Sequence, residues 1–159
     1  MALRQQIWVH GNAFAPPEAP GPGRFLNVGT TGWTDLMGLH RGFHVTWRGR
    51  GGQANWFHVA IPTPAVVNDT RMRLDKAYVL FITGATTLVV AATVWDGERL
   101  LQSFTLGVNG HHCGGIDASN TLDLTSNPEV FSGVGLSVGV SFPVDDDIMF
   151  CGAGADFIG

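Results

Sequence analysis

Six histidines, at positions 10, 40, 44, 58, 111 and 112, have the widest chemical reach in this sequence. Neutral imidazole ligates divalent metals and moves protons near neutral pH. On two-residue alternation, His44 and His58 fall opposite the apolar residues of their strands, and a hairpin between those strands would make them neighbours. His10 has the same parity relative to Ile7 and Val9. His10, His44 and His58 then form a three-histidine set of the cupin kind, holding a divalent metal ion with one coordination position open for a metalloenzyme's substrate. No His-X-His pair or downstream carboxylate at cupin-like spacing accompanies them, so histidines held by structural hydrogen bonds are the competing reading.

Tryptophan supplies a different chemistry. Five tryptophans (Trp8, Trp33, Trp47, Trp56, Trp95) stand against one tyrosine, and exposed indoles serve β-sandwiches as stacking platforms for sugars or as interface anchors. Trp33 lies in the polar stretch Gly29 to Gly38, and Trp56 falls on the non-core side of its strand beside His58. Trp33, Trp56 and His58 are therefore the candidate ligand-binding residues of a lectin-like carbohydrate-binding module, with plain packing as the competing reading. Trp47 and Trp95 read as core by parity.

Two further clusters carry less. In His111-His112-Cys113 adjacent side chains point to opposite faces, and the setting from Gly107 to Gly115 is a glycine-rich surface loop with no second Cys-X-X-Cys. Asp145-Asp146-Asp147 lacks the alternate-position spacing of a calcium loop and reads as a polar turn. A phosphate-binding glycine loop, a Gly-X-Ser-X-Gly elbow and a His-Glu-X-X-His motif are all missing, so the common nucleotide hydrolases, serine hydrolases and zincins lack their signatures. No catalytic set is complete.

The elements that must position these residues are strands. Gly or Pro interrupts nearly every window long enough for a helix, whereas period-two runs recur. Phe43, Val45 and Trp47 alternate with His44, Thr46 and Arg48; Gly49 to Gly52 turn the chain at the end of the basic cluster Arg41–Arg50; Phe57, Val59 and Ile61 alternate with Trp56, His58 and Ala60. Further strands are expected over 72–83, 88–95, 99–106, 121–125, 130–142 and 148–158, with weaker ones at 6–11 and 24–28, about ten in all. Leu88 to Trp95 is apolar on both faces and should lie centrally. Asp96-Gly97 marks a two-residue hairpin. Between Gly133 and Phe142 one face is Val134, Leu136, Val138, Val140 and Phe142, and the other is Gly133, Gly135, Ser137, Gly139 and Ser141. Five small residues in register imply close approach of a loop, another subunit or a flat ligand, or a strand bent by its glycines.

The chain of 159 residues is expected to be one domain, 1–159, with 45% hydrophobic residues, 14% charged and a net charge of −4. So few charges point to surface covered by copies of itself, and the acidic balance disfavours nucleic acid and anionic membrane as partners. The N-terminal segment lacks signal-peptide features, giving a cytoplasmic expectation or export by a route the sequence does not display. Cys113 and Cys151 read as reduced, buried thiols, able to make one bond in an oxidising compartment. Asn68-Asp69-Thr70 fits a glycosylation sequon, which matters only on a secreted chain.

Trp8-Val-His-Gly-Asn12, Asn55-Trp-Phe-His-Val-Ala-Ile-Pro-Thr-Pro64, Val94-Trp-Asp-Gly97, Ile116-Asp-Ala-Ser-Asn120 and Gly135-Leu-Ser-Val-Gly139 together resemble a family of small bacterial β-sandwich proteins of unknown function, across most of the chain. That resemblance implies one domain and transfers no activity or site residues. The expectation is an all-β, two-sheet β-sandwich of jelly-roll type, non-enzymatic and without cofactor, that self-associates in a structural or recognition role. A lectin-like glycan-binding module and a cupin-like metalloenzyme are the alternatives.

Overall fold

Period-two alternation resolves into two stacked layers of antiparallel strands. The computed structural model describes residues 3–16, 25–26 and 38–159. Its strands are β1 (Arg4–His10), β2 (Phe25–Leu26), β3 (Leu39–His40), β4 (Val45–Gly49), β5 (Gln53–Ile61), β6 (Val66–Val67), β7 (Thr70–Arg71), β8 (Arg73–Thr83), β9 (Leu88–Asp96), β10 (Arg99–Val108), β11 (Thr121–Asp123), β12 (Val134–Phe142) and β13 (Asp146–Ile158). A seven-stranded sheet runs β11-β8-β13-β4-β2, with β1 also on β13 and β3 also on β4; a four-stranded sheet runs β10-β9-β12-β5. β6 and β7 form a separate ribbon. Among the described residues no helix is long and apolar enough to cross a membrane.

The spine of the larger sheet is β13. It pairs with β8 along its length, with β4 over Asp146–Phe150, and with β1 over Gly152–Ile158. Inward residues of both sheets meet in one contiguous core, in which Phe57 from the smaller sheet and Phe14 pack on Phe150, with ring centroids 5.1 Å and 4.1 Å away. As the alternation requires, Phe57, Val59 and Ile61 are buried while Trp56, His58 and Ala60 are exposed. Leu88–Asp96 is an interior strand.

The expected hairpin between the strands of His44 and His58 does not form. Strand β4 pairs with β13, β2 and β3, and β5 pairs with β12, so the turn at Arg50 to Gly52 carries the chain from one sheet to the other. Both strands have inward faces that must bury against each other, and stacking satisfies this where side-by-side pairing cannot. At the crossing, Gly49 lies under the Phe142 ring, whose carbons an added Cβ would strike. Phe43, expected in the core, is 58% exposed in the turn before β4.

The acidic run fastens these crossings. Asp145 accepts a hydrogen bond from Gly51 N (2.7 Å), tying the β12–β13 connection to the β4–β5 turn. Asp146 accepts from the main-chain N (2.8 and 2.9 Å) and hydroxyls (3.1 and 3.0 Å) of Thr86 and Thr87, where β8 crosses to β9. Burial alone would raise the Asp146 carboxyl, but these donors and its own neighbouring amide outweigh burial and hold it at about 2. Asp147 pairs with Arg48 at 3.4 Å. The three aspartates thus have structural partners.

The Asp96-Gly97 signal marks a hairpin whose turn sits one residue later than read. Gly97 and Glu98 form it, Gly97 at φ +59°, while Asp96 pairs with Arg99. Buried Asp96 accepts from the N–H groups of Phe131, Ser132 and Gly133 and from Arg99. Burial pushes its carboxyl up, and those donors together bring it below the ordinary range. The expected thiol pair is instead a disulfide: Cys113–Cys151, with Cα atoms 5.9 Å apart, pins the loop after β10 to the register shift of β13 between Phe150 and Gly152. Asn68 and Asp69 of the sequon form the β6–β7 turn at φ 48° and 60°, a conformation these residue types tolerate.

Candidate functional site

Strand register builds the site as a grid on the outer face of the four-stranded sheet. Of the outward residues of β12, Gly135, Ser137 and Gly139 face Ala60, His58 and Trp56 on β5 and Trp95, Thr93 and Ala91 on β9. The three rows across the strands are therefore Ala60–Gly135–Trp95, His58–Ser137–Thr93 and Trp56–Gly139–Ala91. The small-residue face of β12 is the floor of a trough of about 730 Å³ whose lining includes Trp56, His58, Thr93, Trp95, Gly135 and Ser137.

Each indole leans inward for a local reason. Trp56 lies over Gly139, where an added Cβ would meet its ring carbons at 3.3 Å. Trp95 donates its Nε1–H to Thr93 Oγ1 (2.9 Å), which draws the ring along its own strand. At Gly135 an added Cβ would meet nothing within 4 Å. In the middle row His58 Nδ1 and Ser137 Oγ share a hydrogen bond of 2.8 Å. Burial lowers the pKa of His58 below its ordinary value, so the ring is neutral at pH 7. Among the described residues no Asp, Glu, Lys or Arg lines the trough.

Of the expected ligand-binding residues, Trp56 and His58 are brought together and Trp33 lies outside the described residues. The expected metal set does not assemble. His10 lies on the seven-stranded sheet at the end of β1, near enough for its charge to bear on His44, whereas His58 is on the other sheet with its ring turned to Ser137. Among the described residues no three His, Cys, Asp or Glu side chains are placed to share an ion. Burial, then Arg41 and His10, lower the pKa of His44, whose Nδ1 lies 3.3 Å from Thr46 Oγ1. His112 packs on Phe81 (5.0 Å) and lies 3.3 Å from Asp117, inside the disulfide-anchored loop.

Sequence reading missed Trp95, which it assigned to the core. The buried carboxylate of Asp96 faces inward to collect main-chain donors, so Trp95 beside it must face out. The signal was present in the alternation of Val94 and Asp96, but an acid at an inward position runs against the usual pattern.

Ser137 and His58 also satisfy the first requirement of an activated hydroxyl nucleophile. The second is missing among the described residues: β12 pairs on both sides through Ser137, which commits the main-chain N–H groups that an oxyanion hole needs, and no carboxylate orients the His58 ring.

Fold and site define a two-layer antiparallel β protein with an aromatic-walled trough on one outer sheet face, uncharged among the described residues. Residues 4–151 match DUF6623, a family of unknown function, and the chain belongs to that family. No curated protein and no solved structure matches it.

Proposed function

We propose that the chain is a non-catalytic recognition module that takes a flat-faced ligand in the trough between Trp56 and Trp95. The observation that carries this reading is the floor: glycine and serine lie where larger side chains would fill the space between two inward-leaning indoles. Glycine inside a central strand costs stability relative to a residue with a side chain, and a ligand-sized clearance is what that cost provides. The Cys113–Cys151 bond supports a working place outside a reducing cytosol.

The test uses Gly135→Leu, which puts a side chain into open trough space without touching the packed core. Wild type and variant are screened by thermal shift against saccharides, nucleosides and aromatic acids. A ligand at 100 times its Kd stabilises the folded state by about 2.7 kcal/mol, or roughly 5–10 °C for a domain of this size. The shift should occur in the wild type and vanish in a folded Gly135→Leu protein. Equal shifts in both would remove the trough from the reading.

Self-association is a second reading, favoured by β10. Among the described residues this ten-residue strand pairs only with β9, contains no proline and carries one charge, Arg99. An antiparallel second copy there continues the sheet and brings two troughs onto one face. A strictly monomeric mass by light scattering at high protein concentration would reject it.

A further inference from the structure

The three rows of the trough narrow the chemistry of its ligand, granted that the trough is the ligand site. Trp56 and Trp95 occupy opposite corners of the grid, two strands apart across the sheet and four residues apart along it. At strand spacings of about 4.8 Å and a rise of about 3.4 Å per residue, their Cα positions are roughly 17 Å apart. The lean of Trp56 over Gly139 and of Trp95 toward Thr93 leaves the two rings roughly 10 Å apart. That separation exceeds what a single sugar ring or one planar heterocycle can stack on at both ends. Between the indoles runs a row of three polar side chains, His58, Ser137 and Thr93. Because Thr93 Oγ1 accepts from Trp95, its own proton is left to donate, and the neutral His58 ring keeps one nitrogen for a partner besides Ser137.

Other ligand classes fit less well. A single-stranded nucleic acid would stack on the indoles, but its phosphates need Lys or Arg, and among the described residues none lines the trough. A lipid or steroid would cover the polar row without giving it partners, and desolvating unpaired polar groups is unfavourable. A charged sugar gains no counter-charge there. From this geometry we infer that the trough takes a neutral oligosaccharide of at least three pyranose units, laid obliquely across β5, β12 and β9. The outer units stack on Trp56 and Trp95, and the middle unit presents hydroxyls to His58, Ser137 and Thr93.

The experiment titrates the purified full chain with neutral gluco-, manno- and chito-oligosaccharides of one to five units, in both linkage anomers where they exist, following tryptophan fluorescence and calorimetric heat. In at least one series, affinity should rise about tenfold or more between two and three units and then level off. Trp56→Ala and Trp95→Ala should each weaken the trisaccharide about tenfold, as loss of one stacking platform implies. Gly135→Leu should abolish binding while its circular dichroism matches the wild type. Equal affinity for mono- and trisaccharides, or binding by none of the series, overturns the oligosaccharide assignment. If a ligand of another class then binds the wild type and is blocked by Gly135→Leu, the trough remains a binding site and only the saccharide class falls. A saccharide that binds Gly135→Leu as well as wild type overturns both.

Discussion

Replacing Asp146 by Asn tests the physics of the sheet-to-sheet crossings directly. The side chain keeps its volume, but the four donors of Thr86 and Thr87 all meet one oxygen, Oδ2, and a neutral amide oxygen placed there accepts them without the carboxylate's charge. The native carboxyl titrates at about 2 against an ordinary 3.8. At about 1.4 kcal/mol per pKa unit, ionisation stabilises the fold by ~2.4 kcal/mol, which partial solvent contact reduces to about 1–2 kcal/mol. A folded-state pKa below the unfolded one gives a contribution that is complete above about pH 4 and lost as pH falls through about 2. Urea unfolding followed by tryptophan fluorescence should therefore show Asp146→Asn destabilised by about 1–2 kcal/mol at pH 7, a drop in Tm of roughly 2–8 °C, with the gap to wild type closing between pH 4 and pH 2. A gap that stays constant down to pH 2.5, or one under about 0.5 kcal/mol at pH 7, would refute the assignment of Asp146 as an ionised clasp.

Two other outcomes follow from the same framework. Replacing Cys113 and Cys151 by Ser, or reducing the wild-type protein, opens a loop of 38 residues' separation; chain entropy puts the loss at up to roughly 4 kcal/mol, readable as a lower urea midpoint with native-like far-UV circular dichroism. Gly49→Ala should cost about 1–3 kcal/mol or more in the same assay, because its Cβ meets the buried Phe142 ring; stability within about 0.5 kcal/mol of wild type would mean that the ring moves freely aside.

Much of the fold was legible because alternation has a simple cause. In β12, and in β5 from Phe57 to Ile61, every second residue is a large apolar one, and those faces are buried as their pattern requires. Pairing partners were not legible, since β4 and β5 are adjacent in sequence and alternate in the same way whether they lie side by side or in opposite layers. That one ambiguity separated His58 from His44. For the site, the glycine face of β12 and the exposed indole of Trp56 were readable one at a time, but their meeting depends on the register Gly139↔Trp56, which no local pattern encodes. Trp95 was hidden by an acid at an inward position. The disulfide was hidden because Cys113 and Cys151 lie 38 residues apart and only the register shift in β13 turns one toward the other.

The position of β13 has a kinetic consequence. It follows every other described strand in the sequence, yet β8, β4 and β1 find their main partner in it. Until Asp146–Ile158 is available the larger sheet cannot close, and its strands must wait with unpaired edges, while the β9–β10 hairpin can form at once. Such dependence on distant pairing places the chain among slow-folding β topologies, in the millisecond-to-second range. The exposed edges of that waiting state, rather than any surface of the finished sandwich, are where misassociation during folding would begin.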